Sequence, residues 1–330
     1  MEFTTGKSHL RAVVRHFGPA IESVQLESYV PALLKAGELR VKMQFSTINP
    51  SDLITISGAY SSRTPLPFVP GFEGVGIVEA GGELVGQRVL PLGSAGAWQQ
   101  YKHCDAQWCF AVPDWLTDEQ AATCYVNPMT AWLMLTEALA AAPGMKIVVS
   151  AANSTIGLML IRMAKQLGLT VTAIIRHAGA ENAVDNAEPD ELLILPDTGN
   201  ATYSNSLPLI GEADAVLDCV GGKTAIKLAG MLRQSGKFIS YGLLSGDPIP
   251  ASFWQNRPDI RFSYFHLRQW VHTAGRDALA AKLSEIFPLI RDGIAHSQVT
   301  DEFPLDELPV ALNLIKRKKL PGKILIRCNR

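Results

Sequence analysis

The sequence has little charge, few cysteines and no long apolar run, and each shortage excludes a class of protein. Charged residues make up 18% of the 330 residues and the formal net charge is −1, so electrostatics give no reason to bind nucleic acid or an anionic membrane. No apolar run reaches the roughly 18 residues that a membrane helix needs. The N-terminal stretch MEFTTGKSHLRAVV resembles neither a secretory signal nor an Arg-rich presequence, so we expect a cytoplasmic protein.

The cysteines are too few and too scattered to form a framework. They are Cys104, Cys109, Cys124, Cys219 and Cys328. Because their number is odd and their spacing loose, a disulfide scaffold is disfavoured and a reducing compartment is favoured. Cys104 and Cys109 lie close in sequence, but a structural zinc lobe needs more thiolates than these two.

Hydrophobic residues make up 47% of the chain, which together with its length predicts two domains with full cores. Up to about Ala121 the pattern is β-rich, with short runs separated by glycine and proline. The stretch INPSDLITISGAY (Ile48–Tyr60) contains Asn-Pro-Ser-Asp, which predicts the start of a helix. The predicted strands of this part are Leu10–Phe17, Leu39–Ile48, Gly71–Glu79, Gly86–Leu92 and a pair within Tyr101–Pro113.

From Thr117 onwards, strands and helices alternate. A helix is predicted to begin at Thr117 and run toward Ala142, with a break at Pro128. The alternation that follows predicts a doubly wound parallel sheet, so the fold class is α/β. The predicted strands are Lys146–Ala151, Thr170–Arg176, Glu191–Leu195, Ala215–Val220, Lys237–Tyr241 and Ile260–Phe265, and a helix is predicted over Ile156–Leu167.

The last part of the chain is predicted to contain two helices, Arg276–Asp292 and Leu308–Lys318, and a closing strand, Lys323–Arg327. The basic run Lys316–Lys319 lies at the end of the second of these helices. There it complements the negative end of the helix dipole, so we interpret it as a solvated helix terminus.

A candidate nucleotide loop lies in KIVVSAANSTIG (Lys146–Gly157), which is a strand, a tight loop and a helix start. The spacing of the dinucleotide fingerprint is kept, but only its last position, Gly157, is glycine. The loop side chains can donate to phosphate or cap an ordinary helix, so both interpretations stay open. The predicted cofactor residues here are Asn153, Ser154, Thr155, Ile156 and Gly157.

The end of the second strand indicates which cofactor is bound. An NAD site has an acid near this point to hold the ribose 2′-hydroxyl, whereas this chain has Arg176. A guanidinium binds a 2′-phosphate through paired, charge-assisted hydrogen bonds. NADPH is therefore favoured, and the alternative is that Arg176 is a surface arginine at a strand end.

Eight stretches together resemble the zinc-free members of the medium-chain dehydrogenase/reductase superfamily. They are most similar to the mitochondrial-type trans-2-enoyl thioester reductases, with quinone oxidoreductases as neighbours. The stretches are INPSDLITISGAY, VPGFEGVG (Val69–Gly76), NPMTAW (Asn127–Trp132), SAANSTIG (Ser150–Gly157), LDCVGGK (Leu217–Lys223), GKFISYG (Gly236–Gly242), LRQW (Leu267–Trp270) and PGKILI (Pro321–Ile326).

The resemblance implies a GroES-like, β-rich catalytic domain formed by residues 1–122 and 266–330. A Rossmann nucleotide-binding domain, a doubly wound parallel sheet, would occupy residues 123–265. Relatives commonly pair through the edge strand of the nucleotide domain, here Ile260–Phe265, so a homodimer is expected.

The resemblance also implies the absence of a catalytic zinc. Zinc-dependent relatives have a cysteine where this chain has Asn49, and a histidine where it has Phe72. Neither residue replaces the lost ligand, and a catalytic zinc needs three protein ligands. The histidines of the chain show no short-range ligand spacing, so we expect no metal.

Without zinc, the family uses a tyrosine in the motif that matches INPSDLITISGAY, and the matched residue is Tyr60. Hydride delivered to the β-carbon of an enoyl thioester creates negative charge on the thioester oxygen, which a hydroxyl donor stabilises. Tyr60 and Asn49 are therefore the predicted catalytic residues. The alternative for Tyr60 is a loop aromatic that only covers the boundary of the domains.

Further site residues follow from the resemblance alone. Asn49 and Thr130 match positions near the nicotinamide or the reacting end of the substrate. Ser154, Arg176 and Lys323 match positions around the phosphates, and Val220 and Tyr241 lie at strand ends where ligands collect. Trp270 matches a residue near the acyl pocket, or it is a core tryptophan. Glu73 is interpreted as a structural charge.

The predicted function is NADPH-dependent reduction of an activated C=C bond in an enoyl thioester or small enone. The segment after Tyr60 is short, so substrate length stays open, and a quinone is the alternative acceptor. A third possibility is a non-catalytic nucleotide-binding module.

Overall fold

The structure of the protein, a computed structural model, describes residues 7–177, 179–196, 211–317 and 322–329. The chain divides into two units, Met1–Val126 with Ala274–Arg330, and Asn127–Thr273. The first unit thus combines residues from both ends of the chain, and the second unit is one continuous segment. The domain limits expected from the resemblance, 1–122 with 266–330 and 123–265, stay a prediction.

The first unit contains a seven-stranded sheet. The strands of this unit are β1 (His9–Val14), β2 (Val24–Tyr29), β3 (Glu38–Thr47), β4 (Gly74–Ala80), β5 (Arg88–Pro91), β6 (Tyr101–Asp105), β7 (Cys109–Ala111), β14 (Val299–Pro304) and β15 (Lys323–Arg327). Their order in the sheet is β14-β15-β3-β4-β5-β7, and β6 also pairs with β3. The paired strands of this sheet are antiparallel, except that β14 and β15 run parallel.

Strand β3 organises this unit because it has three neighbours. Its first half pairs with β6 and its second half with β15, while β4 runs along its other edge. Leu39, Val41 and Met43 are buried in the core, following the alternation of a half-buried strand. The helices of this unit are α1 (Ala20–Ser23), α2 (Pro50–Ile56), α3 (Asp118–Ala122) and α10 (Leu308–Arg317), with short 3₁₀ helices at Ser61–Arg63, Ala106–Trp108 and Leu305–Glu307.

The second unit contains a parallel sheet whose core includes Val148, Ile174, Val216 and Phe238. The elements are β8 (Lys146–Val149), α5 (Thr155–Gln166), β9 (Thr170–Ile175), α6 (Glu181–Asp185), β10 (Glu191–Ile194), β11 (Ala213–Asp218), α7 (Gly222–Ala229), β12 (Leu232–Ser240), α8 (Ala251–Asn256) and β13 (Arg261–Tyr264). The strand order in the sheet is β10-β9-β8-β11-β12-β13.

This order places the topological switch point between β8 and β11. From β8 the chain moves outward to β9 and β10, and it then returns to the other side of β8 to form β11, β12 and β13. In open parallel sheets, ligands bind beyond the carboxyl ends of the strands at such a point. The predicted α/β fold with a parallel Rossmann-type sheet is therefore confirmed.

Two helices cross the boundaries between the units. Helix α4 (Val126–Leu133) continues into a π-helical turn, Met134–Ala138, and helix α9 spans Leu267–Arg291. Gly275 interrupts α9 with φ 84° and ψ 178°, a conformation that favours glycine. Within the described residues, no helix combines the length and the apolar character that a membrane span requires.

One local prediction was wrong, two strands were missed, and one predicted run lies partly outside the described residues. The predicted break at Pro128 lies instead at Thr123–Tyr125, and Pro128 is inside α4, where the first helical turn tolerates a missing N–H. Strands β2 and β14 were not predicted. Lys318 and the rest of the basic run to Lys319, together with Pro321, lie outside the described residues.

Candidate functional site

The side chain of Asn49 lies at the centre of a buried polar network in the first unit. Its Nδ2 is 2.9 Å from Thr47 Oγ1 and 2.9 Å from Glu73 Oε2, and its Oδ1 accepts a hydrogen bond from Lys323 Nζ. Asn49 is fully buried, and Thr47, Glu73 and Lys323 are at most 5% exposed. Buried polar groups of this kind are stable only when they are hydrogen-bonded.

Both carboxylate oxygens of Glu73 are occupied. Oε2 accepts from Thr47 Oγ1 at 3.0 Å as well as from Asn49. Oε1 accepts from the backbone N–H groups of Tyr125 and Val126 at 2.8 and 2.7 Å. Glu73 therefore fixes the first residue of helix α4, which supports its interpretation as a structural charge.

Lys323 is the cation of this network. Burial lowers its pKa, and the nearby Glu73 and Asp52 oppose that shift. Its ammonium bonds to Asn49, a contact that the predicted phosphate-binding role of Lys323 did not include. The phosphate role itself stays a prediction.

Asp52 holds the backbone around Asn49. Its Oδ2 accepts from Asn49 N at 2.8 Å and its Oδ1 from Phe72 N at 3.0 Å. Burial raises the pKa of Asp52 to about 7, and the two backbone hydrogen bonds oppose that rise. The third residue of helix α2 thus closes back on the residue before the helix, as in a capping box.

Tyr60 follows helix α2 and precedes the 3₁₀ helix Ser61–Arg63. Its ring is half-buried, and the guanidinium of Arg63 lies 4.2 Å from the ring centroid. This cation–π contact orients the ring. The catalytic roles of Tyr60 and Asn49 stay predictions.

The residues at the matched zinc positions do not fit a metal. Phe72 has no donor atom, and the side-chain oxygen and nitrogen of Asn49 are used by Lys323, Thr47 and Glu73. Among the described residues there is no group of three or more His, Cys, Asp or Glu side chains with a geometry suited to a metal ion.

In the second unit, the predicted nucleotide loop forms a tight turn before helix α5. Ala151 adopts φ 46°, a left-handed conformation, and Ser154 Oγ caps the helix by accepting from Gly157 N at 3.1 Å. A Cβ at Gly157 would lie 2.6 Å from the Ala151 carbonyl oxygen, so only glycine allows this approach of helix to loop. The amides of Thr155 and Ile156 belong to the first turn, whose N–H groups have no intrahelical acceptor and attract phosphate.

Strand β9 leads directly to Arg176, which is half-buried, while Asn153 is exposed on the loop after β8. The two strands are neighbours, with Val149 opposite Ala173, and Ala152 N donates to Ile174 O at 2.9 Å. The structure thus places the loop and Arg176 beyond adjacent strand ends, as the sequence predicted.

The switch point is bridged by Ser150 and Asp218, which were not predicted. Ser150 Oγ donates to Asp218 Oδ1 at 2.6 Å and accepts from Cys219 N at 3.0 Å. The carboxylate also accepts from Val220 N and Gly221 N at 3.0 and 2.9 Å. Burial raises the pKa of Asp218, and these hydrogen bonds oppose that rise. The bridge fixes the turn into helix α7, where Gly221 adopts φ 71°.

Tyr241 follows strand β12, and Tyr241 N donates to Asp218 O at 2.8 Å. Its hydroxyl is buried and has no oxygen or nitrogen partner among the described residues. Burial raises the pKa of Tyr241 well above its ordinary value, and the adjacent thiol of Cys219 raises it further. The hydroxyl therefore stays protonated and keeps its hydrogen for a ligand or for the thiol.

The remaining predicted site residues are buried or half-buried. Val220 is buried, and its carbonyl accepts from Ser245 N at 3.0 Å. Thr130 in α4 and Trp270 in the first turn of α9 are half-buried. Their roles toward nicotinamide and acyl chain stay predictions.

The second unit fits a dinucleotide phosphate. Helix α5 presents its first-turn amides beyond β8, Gly157 permits the close approach, and Arg176 supplies a cation beyond the neighbouring strand. Asp52 and Asp218 were missed, although each follows a recognisable signal: Asp52 is the third residue of a predicted helix, and Asp218 precedes Gly-Gly after a strand.

Known proteins are similar to this chain over nearly its whole length. Residues 35–114 match the alcohol dehydrogenase GroES-like domain, and residues 179–326 match a model described as zinc-binding dehydrogenase. The mitochondrial enoyl-[acyl-carrier-protein] reductase of Rattus norvegicus is 31% identical over 323 residues, covering 92% of this chain and 85% of that protein.

Solved structures agree with the sequence matches. The crystal structure of a putative NADPH:quinone reductase from Bacillus thuringiensis is 30% identical, with a TM-score of 0.89 and coverage of 98% of this chain and 99% of that chain. The Escherichia coli quinone oxidoreductase complexed with NADPH is 22% identical and shares the fold, with a TM-score of 0.83 and coverage of 96% and 99%. NADPH is the cofactor of the family, which confirms that prediction at the family level. The chain belongs to the medium-chain dehydrogenase/reductase superfamily.

Proposed function

We propose that the protein reduces the C=C bond of a 2-enoyl thioester with NADPH, without a catalytic zinc. The similarity to an enoyl-[acyl-carrier-protein] reductase over 92% of the chain supports this substrate class. When bound, NADPH supplies the hydride that is added to the β-carbon of the substrate.

The observation that carries the proposal is the way the side chain of Asn49 is used. Its oxygen is bound by Lys323 and its nitrogen by Thr47 and Glu73. Another group of the Ile48–Tyr60 segment must therefore donate the hydrogen bond that stabilises a thioester oxygen. Tyr60, half-buried just beyond helix α2, carries a hydroxyl with the required donor chemistry.

Tyr60 would then donate a hydrogen bond to the thioester oxygen as negative charge develops on it, and Asn49 would keep the start of helix α2 in place. This interaction is stronger in the transition state than in the bound substrate, so it accelerates the reaction. Arg63, stacked on the Tyr60 ring, would limit the rotamers of that ring.

Replacement of Tyr60 by phenylalanine tests this role. We expect kcat on crotonyl-CoA to fall about 100-fold, as on loss of one oxyanion donor, with a smaller change in KM. Tyr101→Phe is the matched control, because it also removes one tyrosine hydroxyl of the first unit and should leave kcat unchanged. Undiminished turnover in Tyr60→Phe would remove Tyr60 from the mechanism.

The same assay separates the alternatives. An NADPH:quinone oxidoreductase, suggested by the Bacillus thuringiensis relative, would turn over benzoquinones faster than crotonyl-CoA and would tolerate Tyr60→Phe. Tight NADPH binding with no oxidation by either acceptor would indicate a non-catalytic nucleotide-binding module. Full activity after dialysis against a strong chelator is the result expected for zinc independence.

We also propose that two copies pair through strand β13. Among the described strands, β13 pairs with β12 alone, and Tyr264 on it is 73% exposed. A sheet edge of this kind presents unpaired N–H and C=O groups to which a strand of a second copy can bind. Ser263→Pro should shift the mass in solution from dimer to monomer by light scattering, whereas a monomeric parent protein would reject the pairing.

A further inference from the structure

Two thiols that the proposed function does not use lie side by side in the first unit. Cys104 on β6 and Cys109 at the start of β7 have their sulfurs 3.1 Å apart. Both cysteines are free, and they are 5% and 3% exposed. Each thiol also contacts a backbone carbonyl oxygen, Cys104 that of Leu39 at 3.9 Å and Cys109 that of Asp105 at 3.7 Å.

The hydrogen bond between the two sulfurs shifts the pKa values of the two thiols in opposite directions. The hydrogen bond with Cys109 lowers the pKa of Cys104, and the buried ammonium of Lys102 lowers it further. The same hydrogen bond and burial raise the pKa of Cys109. Lys102 is held by the carbonyl groups of Pro91 and Ser94, each at 2.7 Å. Cys104 is thus the nucleophilic member, and Cys109 is the adjacent resolving thiol.

The turn that joins the two cysteines is firmly held. Asp105 accepts from Gln107 N at 3.0 Å, and Arg276 Nε donates to Gln107 O at 3.0 Å. Arg276 also lies 5.6 Å from the centroid of the Phe110 ring. With the backbone fixed, the sulfurs stay next to each other, and forming a covalent bond requires an approach of about 1 Å.

We propose that Cys104 and Cys109 are a peroxide-oxidisable pair that forms an intramolecular disulfide linking β6 to β7. The Cys104 sulfur attacks one oxygen of hydrogen peroxide, so that an S–O bond forms, the O–O bond breaks, and water departs; Cys104 is then a sulfenic acid. Cys109 attacks that sulfur, so that the S–S bond forms, the S–O bond breaks, and a second water departs. The two thiols lose two electrons and two protons in total, and an external dithiol reverses the reaction.

The test uses the full-length chain, reduced, desalted and exposed to excess hydrogen peroxide, then alkylated with N-ethylmaleimide in denaturant. The tryptic peptide from His103 to Lys146 contains Cys104, Cys109 and Cys124. We expect that peptide to carry one maleimide, on Cys124, and its mass without the label to be about 2 Da below that of the peptide with all three thiols reduced. If the oxidised protein is reduced with dithiothreitol before alkylation, the peptide should again carry three maleimides.

Single variants assign the two roles. Cys109→Ser should leave a sulfenic acid on Cys104 that reacts with dimedone, whereas Cys104→Ser should leave Cys109 reduced. The remaining thiols should be resistant, because burial raises the pKa of Cys124 well above its ordinary value and those of Cys219 and Cys328 to about 12. Three maleimides on the peptide after peroxide treatment of the parent protein, or oxidation of Cys219 or Cys328 first, would overturn the proposal.

Discussion

The ammonium of Lys323 donates to the side-chain oxygen of Asn49, whose nitrogen lies 2.9 Å from Glu73 Oε2. One amide group thus connects a buried cation to a buried anion that comes from a distant part of the chain. Its dipole is aligned with both charges, which fixes its rotamer. The network therefore determines the position of a predicted catalytic residue and contributes to the stability of the first unit.

Removing both charges of this network should cost less than the sum of the costs of removing each charge alone. Lys323→Met leaves Glu73 buried without its cation, and Glu73→Gln leaves Lys323 without its anion, so each should lower the free energy of unfolding by about 3–5 kcal/mol. In the double variant neither charge is left uncompensated. Its loss, measured by urea unfolding, should be clearly smaller than the sum of the single losses.

The ion pair of Lys165 with Asp190 provides the surface control. These side chains are 35% and 37% exposed and 2.6 Å apart, so Lys165→Met should cost at most about 1 kcal/mol. Additive losses for Lys323→Met and Glu73→Gln would show that the two charges are not coupled.

Asp52 should make the protein less stable as the pH rises toward neutrality. Burial raises its folded-state pKa from 3.8 to about 7, so the folded protein keeps a proton that the unfolded chain loses. This stabilisation is complete below about pH 4, falls as the pH rises to about 7 and is absent above that. Asp52→Asn cannot titrate, so its melting temperature should lack this decline. Parallel curves for both proteins between about pH 4.5 and 8.5 would contradict the shift.

Arg176 should select NADPH over NADH. Loss of charge-assisted hydrogen bonds to a 2′-phosphate costs about 1.5–3 kcal/mol, so Arg176→Ala should raise the Kd for NADPH about 10- to 100-fold and leave that for NADH unchanged. Fluorescence titration measures both constants. Arg233→Ala is the control, since it removes an equal charge from the ion pair with Asp214 and should change neither. An equal rise in the Kd values for NADPH and NADH in Arg176→Ala would show that Arg176 does not recognise the 2′-phosphate.

Gly157→Ala should disturb the start of helix α5. The added Cβ would lie 2.6 Å from Ala151 O and 2.7 Å from Ala152 O, and backbone atoms cannot move aside cheaply. We expect a loss of about 1–3 kcal/mol in unfolding free energy and weaker NADPH binding. In Gly230→Ala the nearest atom is Lys227 O at 3.2 Å, so its effect should be smaller. Equal losses of unfolding free energy in the two variants would show that the loop before helix α5 shifts to make room for the added Cβ.

Sequence patterns predicted the second unit well because its signals are local. The apolar run of Lys146–Val149, the cap at Ser154 and the amphipathic helix after it are adjacent in sequence, and the structure contains all three. Strands β2 and β14 were missed for the opposite reason. Their sequences, VQLESY and VTDEFP, are rich in polar residues and mostly half-buried, so their pairing partners, rather than their own patterns, stabilise them.

The polar network was beyond prediction because its members are far apart in sequence. Asn49 and Glu73 are 24 residues apart, and Asn49 and Lys323 are 274 residues apart. No periodicity links them, and the motif match for Lys323 predicted a phosphate contact but not its hydrogen bond to Asn49. Only the antiparallel pairing of β15 with β3 brings this lysine to the helix start.

The place of β15 in the first sheet has a consequence for biosynthesis. Leu325 pairs with Thr47, and Arg327 pairs with Phe45. On a translating ribosome, the strands of the second unit are synthesised before β15. The second unit can therefore fold while β3 is still unpaired along the edge that β15 will occupy. A nascent chain that terminates before Lys323 would keep the Phe45–Thr47 edge unpaired, which makes it a target for chaperones and proteases.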